Sequence, residues 1–224
     1  MLTIVAVLST PPAFAAAASA DPLQEIRDGL NQVIVVFQKQ GVPLAARREE
    51  LRKLAEQHFD FSDMAKSALG YHWRGLTPEQ REGFVPLFTT FIENAFLSKL
   101  QDYTVQRIQQ EAPLARIDYL REAFDGPDYA QVFTDLTVPE QKDPVHVNYR
   151  LHRIEGSWRV YDITIDAISI VGNYRNQFDR VINNQGYDQL VALMHEKIKG
   201  FRERMEHPQP TPAASSDTIQ NANS

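Results

Sequence analysis

Cysteine is absent from this sequence of 224 residues, which excludes disulfides, thiolate metal sites and a cysteine nucleophile. Basic runs are also absent and the formal net charge is −6, so attraction to nucleic acid or to an anionic lipid surface should not dominate binding. The HExxH, GxSxG and glycine-rich phosphate-loop motifs do not occur. The sequence therefore lacks the common signatures of metalloproteases, serine hydrolases and nucleotide-binding enzymes.

The first twenty residues have two features of an export signal, although no Lys or Arg precedes the apolar run. Residues 2–8 are apolar but too few to span a bilayer, and Ala18-Ser19-Ala20 has the small-x-small form of a signal-peptidase site. We expect a cleaved signal peptide over residues 1–20 and, without a lipobox cysteine, a soluble periplasmic protein. A single domain is predicted over residues 21–206. The Pro-, Ala-, Ser- and Asn-rich residues 207–224 are predicted to be a disordered tail.

Apolar residues that recur every three or four positions predict most of the helices. Thr77, Pro78 and Gln80 have the pattern of a helix N-terminus with a capping box. A short helix is expected between a cap at Asp60 or Ser62 and a stop at Gly70. The other helices are predicted over residues 22–39, 43–58, 77 to about 103, 173 to about 184, and 187 to about 205.

Alternating apolar and polar residues predict four strands, over residues 116–124, 129–138, 145–154 and from 158 to about 166. The connections are short turns, so consecutive strands should be antiparallel neighbours. In the last strand, Tyr161, Ile163 and Ile165 are predicted to share one face. The order of elements indicates an α+β fold, with helices packed on one face of a four-stranded antiparallel sheet.

Two segments carry a resemblance to a known family. Residues 59–73 contain Phe59-Asp60-Phe61, then Met64-Ala65, a later Leu-Gly pair and a tryptophan. Residues 158–178 carry the second and longer match. The matching residues there are Trp158, Val160, Tyr161, Asp162, Ser169, Val171, Asn173, Tyr174, Arg175, Gln177 and Phe178. In this combination the sequence resembles the MlaC family, the toluene-tolerance type of periplasmic phospholipid-binding protein.

The resemblance implies a similarity to the NTF2-like cone, with an apolar lipid cavity between helices and sheet. It also implies a phospholipid carrier that maintains outer-membrane lipid asymmetry. The implied partners are an outer-membrane lipoprotein–porin complex and an inner-membrane ABC transporter complex with its substrate-binding subunit. No cofactor is expected, because phospholipid would be the cargo and the ABC partner would supply the energy. The direction of transport, the headgroup preference and the oligomeric state stay open.

The candidate lipid-binding residues come from one helix, two strands and the corner that follows them. Tyr174 and Arg175 are also candidates for a headgroup contact, since a helix N-terminus favours phosphate; a structural ion pair is the alternative for Arg175. The candidates are Phe84, Phe88, Phe91, Tyr149, Leu151, Tyr161, Ile163, Ile165, Ile168, Ile170, Val171, Tyr174 and Arg175.

Two other functions remain open at this stage. NTF2-like cones can hold a catalytic Asp-His pair, and Tyr161 and Asp162 keep an isomerase or dehydratase under consideration. His146 and His152 share a strand face but lie roughly 20 Å apart at about 3.3 Å per residue, too far to bind one metal. Asp162 and Asp166 are expected to face solvent or to pair with Arg159 or Arg175. A periplasmic adaptor with a fully packed core is the third possibility.

Overall fold

The computed structural model describes residues 21–39, 41–109, 115–139 and 142–206. The predicted signal peptide and the predicted tail lie outside the described residues. The helices there are α1 (Pro22–Gln38), α2 (Leu44–His58), α3 (Phe61–Leu69), α4 (His72–Gly75), α5 (Pro78–Gln109), α6 (Ile170–Gln185) and α7 (Tyr187–Glu206). None of the helices in these ranges is long and apolar enough to cross a bilayer.

Side chains that cap the helices explain several of the helix boundaries. The Thr77 hydroxyl accepts a hydrogen bond from the Gln80 amide, and the Gln80 side chain accepts one from the Thr77 amide, which confirms the predicted capping box. The Asp60 carboxylate accepts from the Asp63 amide at 3.0 Å and begins α3. The helix α5 continues through Pro86 and is longer than predicted.

The sheet has five antiparallel strands in sequential order, not the four expected. They are β1 (Arg116–Phe124), β2 (Tyr129–Thr137), β3 (Val145–Ile154), β4 (Ser157–Ile165) and β5 (Ile168–Ser169). The additional strand arises because Asp166 and Ala167 adopt positive φ angles of 44° and 68°, which turns the chain back onto β4. Ile168 and Ser169 then pair with the last residues of β4.

Two clusters of buried apolar residues form the core. One lies between α1 and the sheet and contains Ile26, Val132, Leu151 and Trp158. The other joins α3, α5, α6 and α7. Phe59 packs against both clusters and forms a parallel bridge to Val160 at the edge of β4. The helical cluster is therefore attached to the sheet through β4 and the segment that begins α3.

The start of α6 differs from the prediction. The sequence predicted a helix from residue 173, but α6 begins at Ile170 and is capped by Ser169. The Ser169 hydroxyl accepts a hydrogen bond of 2.8 Å from the Gly172 amide. Gly172 lies in the first turn of α6. A larger residue would not fit there without a shift, because its Cβ would lie 2.9 Å from the Ser169 hydroxyl oxygen.

Candidate functional site

The α1-facing side of the sheet is covered over β2, β3 and β4 at the end where the hairpins β1–β2 and β3–β4 turn, whereas Phe124 on the edge strand β1 is 56% exposed. Ala130, Leu151 and Val160 lie opposite one another in the register of β2, β3 and β4, and each is buried. Trp158 and Val132 extend this buried half and are also inaccessible. Ile26 of α1 packs on it. This half of the face is ordinary packed core.

The other half of the same face is apolar but only partly covered. Ile117, Leu136 and Val145 lie side by side across three strands, at the end of the sheet away from the hairpin turns. The next row, which contains Val147 and Ile165, is covered to a similar degree. Apolar side chains in a row normally bury themselves, so incomplete cover over several neighbouring positions indicates an apolar site that another molecule can occupy.

Tyr149 lies between the two halves. It is opposite Val132 on β2 and Ile163 on β4, and it packs against the buried cluster. Burial raises the pKa of Tyr149 to about 12, yet its side chain keeps accessible surface. Tyr149 thus has apolar surroundings but is still partly accessible. This combination is expected of a side chain at the inner end of an apolar space.

The three candidate phenylalanines of α5 lie in the helical cluster instead. The rings of Phe84 and Phe88 contact the Phe178 ring edge-to-face, with centroids 6.2 and 6.3 Å apart. The Phe91 ring lies 5.3 Å from that of Tyr174, whose pKa burial raises to about 12. The buried Val171 belongs to the same cluster. The structure therefore brings these candidates together as packed core between α5 and α6.

Tyr161 is on the opposite face of the sheet from the predicted one. The pairing of β3 with β4 shifts at this point, so that Leu151 is opposite Val160 and Arg150 is opposite Asp162. The residue between Val160 and Asp162 is the extra residue of a β-bulge. The Tyr161 ring consequently contacts His152 at 5.2 Å, away from α1.

Two further candidates occupy the corner after β4. Ile168, on β5, is 54% exposed and lies opposite Ile165 at the edge of the sheet. Ile170 begins α6 and is partly covered. In the strand pairing Ile168 is on the same face as Ile165, Ile163 and Tyr149, whereas Ile170 lies beyond the strands, in α6.

Asp162 is buried, contrary to the expectation that it faces solvent or pairs with Arg159 or Arg175. Its carboxylate accepts hydrogen bonds from the Ser169 hydroxyl at 2.6 Å and from the Val171 amide at 3.1 Å. The nearest cation is the guanidinium of Arg150, 3.9 Å away. Asp162 therefore joins β4 to the first turn of α6.

Arg175 lies in the second turn of α6, because the helix starts earlier than predicted, and so it is not at the helix N-terminus. Its Nε donates to the backbone carbonyl of Ser67 at 2.5 Å. Its aliphatic stem packs on Gly70, where a Cβ would meet Arg175 Cδ at 3.2 Å. This side chain connects α6 to α3.

Sequence reasoning did not find Glu93, which is 8% exposed on α5. Its Oε1 atom has no hydrogen-bond partner among the described residues. Burial raises the pKa of Glu93 to about 7, although Arg52 of α2 opposes this shift. Glu93 precedes the apolar Leu97 by four residues on α5, so the two side chains are on the same side of the helix. This spacing is the signal in the sequence that could have indicated the burial of Glu93.

The Asp-His pair that the enzyme alternative requires does occur, but on the outer face of the sheet. The imidazole of His152 lies 3.0 Å from the carboxylate of Asp60, beside Tyr161 and Tyr129. In the strand register His152 alternates with Leu151 and points away from α1. Within the described ranges, no cluster of three His, Asp or Glu side chains could hold a metal ion.

A family model described as "MlaC protein" matches residues 27–196, about three quarters of the sequence. The chain belongs to the MlaC family. One MlaC relative is the intermembrane phospholipid transport system binding protein of Haemophilus influenzae, 25% identical over 130 residues. That alignment spans 57% of this chain and 57% of the relative, so it covers just over half of the relative's length.

The fold is also similar to that of a solved structure. A phospholipid-binding protein from Ralstonia solanacearum, determined in complex with a phospholipid, superposes with a TM-score of 0.68. The match covers 81% of this chain and 99% of the other, at 20% sequence identity. At this identity the likeness establishes the fold, and the predicted α+β class is confirmed. The MlaC match begins within α1 and ends within α7, so it includes the whole sheet.

Proposed function

We propose that this protein binds a phospholipid and carries it between the two membranes of a bacterial envelope. The observation that carries the proposal is the partly covered apolar half of the sheet face, from Ile117 and Val147 to Tyr149. Membership of the MlaC family supports it, and so does the phospholipid complex of the Ralstonia protein.

The chemistry of such a cargo explains why an apolar site without catalytic groups is sufficient. Each methylene moved from water into an apolar environment contributes about 0.8 kcal/mol. Two acyl chains of about 30 methylenes therefore represent roughly 24 kcal/mol in total. A carrier that covered only one chain would lose about half of this, so the site should cover both chains.

The cellular setting belongs to the same proposal. We expect the protein to act in the periplasm, after removal of residues 1–20, between an outer-membrane lipoprotein–porin complex and an inner-membrane ABC transporter. The support is the family and the name of the Haemophilus relative, which refers to intermembrane transport. The expected consequence is maintenance of outer-membrane lipid asymmetry and tolerance of toluene.

The test is to purify residues 21–224 from a bacterial periplasm, extract the protein with organic solvent and identify lipids by mass spectrometry. Near-stoichiometric diacyl phospholipid is the expected result. A lipid-free protein whose melting temperature does not respond to added phospholipid would overturn the proposal. Residual activity on small ketones or hydroxy compounds in the same preparation would then direct attention to His152 and Asp60.

A further inference from the structure

Four buried side-chain atoms on or beside α2 have no hydrogen-bond partner among the described residues. Three belong to α2 itself: Nε of Arg47, Nε of Arg48 and Nε2 of His58. The fourth is Oε1 of Glu93, on the part of α5 beside Arg52 of α2. Buried polar atoms in native proteins normally have a partner. His58 is roughly 15 Å farther along α2 than Arg48 at about 1.5 Å per residue, so only the two adjacent arginines mark one place for a polar ligand or water.

The path of α1 shows which end of the sheet the two arginines approach. The Leu23 amide donates to the Glu122 carboxylate at 3.1 Å, and the Arg27 guanidinium lies 4.7 Å from the centre of the Tyr119 ring. The helix therefore runs along β1 toward the first residue of that strand. The turns from Arg27 to Gln38 add roughly 16 Å at about 1.5 Å per residue, which brings the end of α1 to the start of β1.

The helix α2 returns antiparallel to α1, since His58 at its last turn lies 2.7 Å from Glu25 in the first turn of α1. The first turn of α2 is consequently beside the start of β1. This is the end of the sheet where Ile117, Leu136 and Val145 are only partly covered. Arg47 and Arg48 thus lie at the open end of the proposed lipid site.

Among the described residues, no ion pair joins a carboxylate to Arg47 or Arg48. The first turn of α2 contains no acidic residue. Glu50 pairs with Lys39, and Glu49 pairs with Arg52 at 2.8 Å. Arg47 donates through Nη2 to the Lys39 carbonyl at 2.8 Å, which holds its guanidinium in place without cancelling its charge.

We propose that Arg47 and Arg48 bind the phosphate of the lipid headgroup while its acyl chains occupy the apolar half of the sheet face. Guanidinium groups match phosphate geometry and form charge-assisted hydrogen bonds with it. This inference rests on the proposed function, and it adds a determinant that selects phospholipid over uncharged diacylglycerol. Neither arginine was a candidate in the sequence, where the charges of α2 look like a solvated helix face.

The experiment compares two water-soluble lipids that differ only in the headgroup phosphate, dioctanoyl phosphatidylglycerol and dioctanoylglycerol. Their dissociation constants are measured by calorimetry on delipidated wild-type protein and on Arg47→Gln/Arg48→Gln. The control is Lys53→Gln/Lys199→Gln, which removes two exposed positive charges elsewhere. Thermal melts with inorganic phosphate alone complete the set.

We expect the arginine variant to bind phosphatidylglycerol about ten to one hundred times more weakly, with unchanged diacylglycerol binding and an unaffected lysine control. An equal loss of both lipids, or no loss, would overturn the assignment. A phosphate-induced rise in melting temperature that the arginine variant loses, without a change in lipid affinity, would assign the site to free phosphate instead. Wild-type protein that binds neither lipid would refute the proposed function itself.

Discussion

The carboxylate of Asp162 accepts a 2.6 Å hydrogen bond from the hydroxyl of Ser169, the residue that caps α6. Ser169 in turn accepts from the Gly172 amide, and Asp162 accepts from the Val171 amide. Three hydrogen bonds therefore connect four groups at this corner in one chain. The corner matters because α6 contributes Val171 and Phe178 to the helical cluster.

Asp162→Asn should destabilise the fold, because the amide nitrogen would face a donor from Ser169 or from the Val171 backbone. The expected loss is about 2–3 kcal/mol in the free energy of unfolding, measured by urea denaturation. Asp128→Asn, in the exposed β1–β2 turn, is the matched control and should change stability by less than about 0.5 kcal/mol. Equal stability of the two variants would show that the corner contributes nothing.

Gly172→Ala should also destabilise, although alanine normally favours helices. The new Cβ would lie 2.9 Å from Ser169 Oγ, which is held between two hydrogen bonds and cannot move away freely. We expect a net loss of about 1 kcal/mol in urea denaturation. Gly200→Ala in α7, where nothing lies within 4 Å, should instead gain up to about 1 kcal/mol. A gain at both positions would contradict this account.

Glu93 should make the protein less stable as the pH rises. Its pKa is about 7 in the folded protein against an ordinary value of 4.5, so the folded protein holds the proton to higher pH than the unfolded chain does. Below pH 4.5 both states are protonated. Between these values unfolding releases the proton, and stability should fall by at most about 1.4 kcal/mol per pH unit, reaching about 3 kcal/mol above pH 7.

Glu93→Gln removes this titration, so its stability relative to the wild type should increase across the interval and then level off. Urea denaturation at pH 4, 5, 6, 7 and 8 measures the difference. Glu82→Gln, exposed on the same helix, is the control and should follow the wild-type curve. Parallel curves for all three proteins would refute the assignment.

Two valines on the same sheet face distinguish a lipid site from a packed core. Val147→Trp would place an indole in the partly covered half and should reduce co-purified lipid, while the free energy of unfolding changes by less than about 1 kcal/mol. Val132→Trp would overpack a fully buried position and should cost about 1–3 kcal/mol. Mass spectrometry and urea denaturation measure both effects. A Val147→Trp variant destabilised as much as Val132→Trp, together with a wild-type protein that carries no lipid, would favour the packed adaptor.

Local chemistry was sufficient to predict most of the elements. Period-two alternation between Pro144 and Glu155 placed β3 at Val145–Ile154, as observed. The Thr77 capping box and a cap at Asp60 or Ser62 were predicted, and the structure has Asp60, because a cap depends on residues within one helical turn of each other. The α+β class follows from the order of such elements.

The sequence could not show where the strand pairing shifts, and so it could not show on which face of the sheet Tyr161 lies. Simple alternation assigned Tyr161 to the face of Ile163, but a bulge opposite Arg150 moves it to the other face. A bulge is decided by how two strands align, and the sequence of one strand does not contain that information.

By itself, the sequence determined most of the helices, four of the five strands, the antiparallel order of those four and the resemblance to a family, because these depend on periodicity and on neighbouring residues. Only the tertiary structure decided that Asp162 is buried against Ser169, that Phe84 and Phe88 are packed core, and that the Nε atoms of Arg47 and Arg48 are buried without a partner among the described residues. The physical reason is that burial and hydrogen-bond partners depend on elements far apart in the chain, and folding selects their arrangement through the energy of the whole molecule.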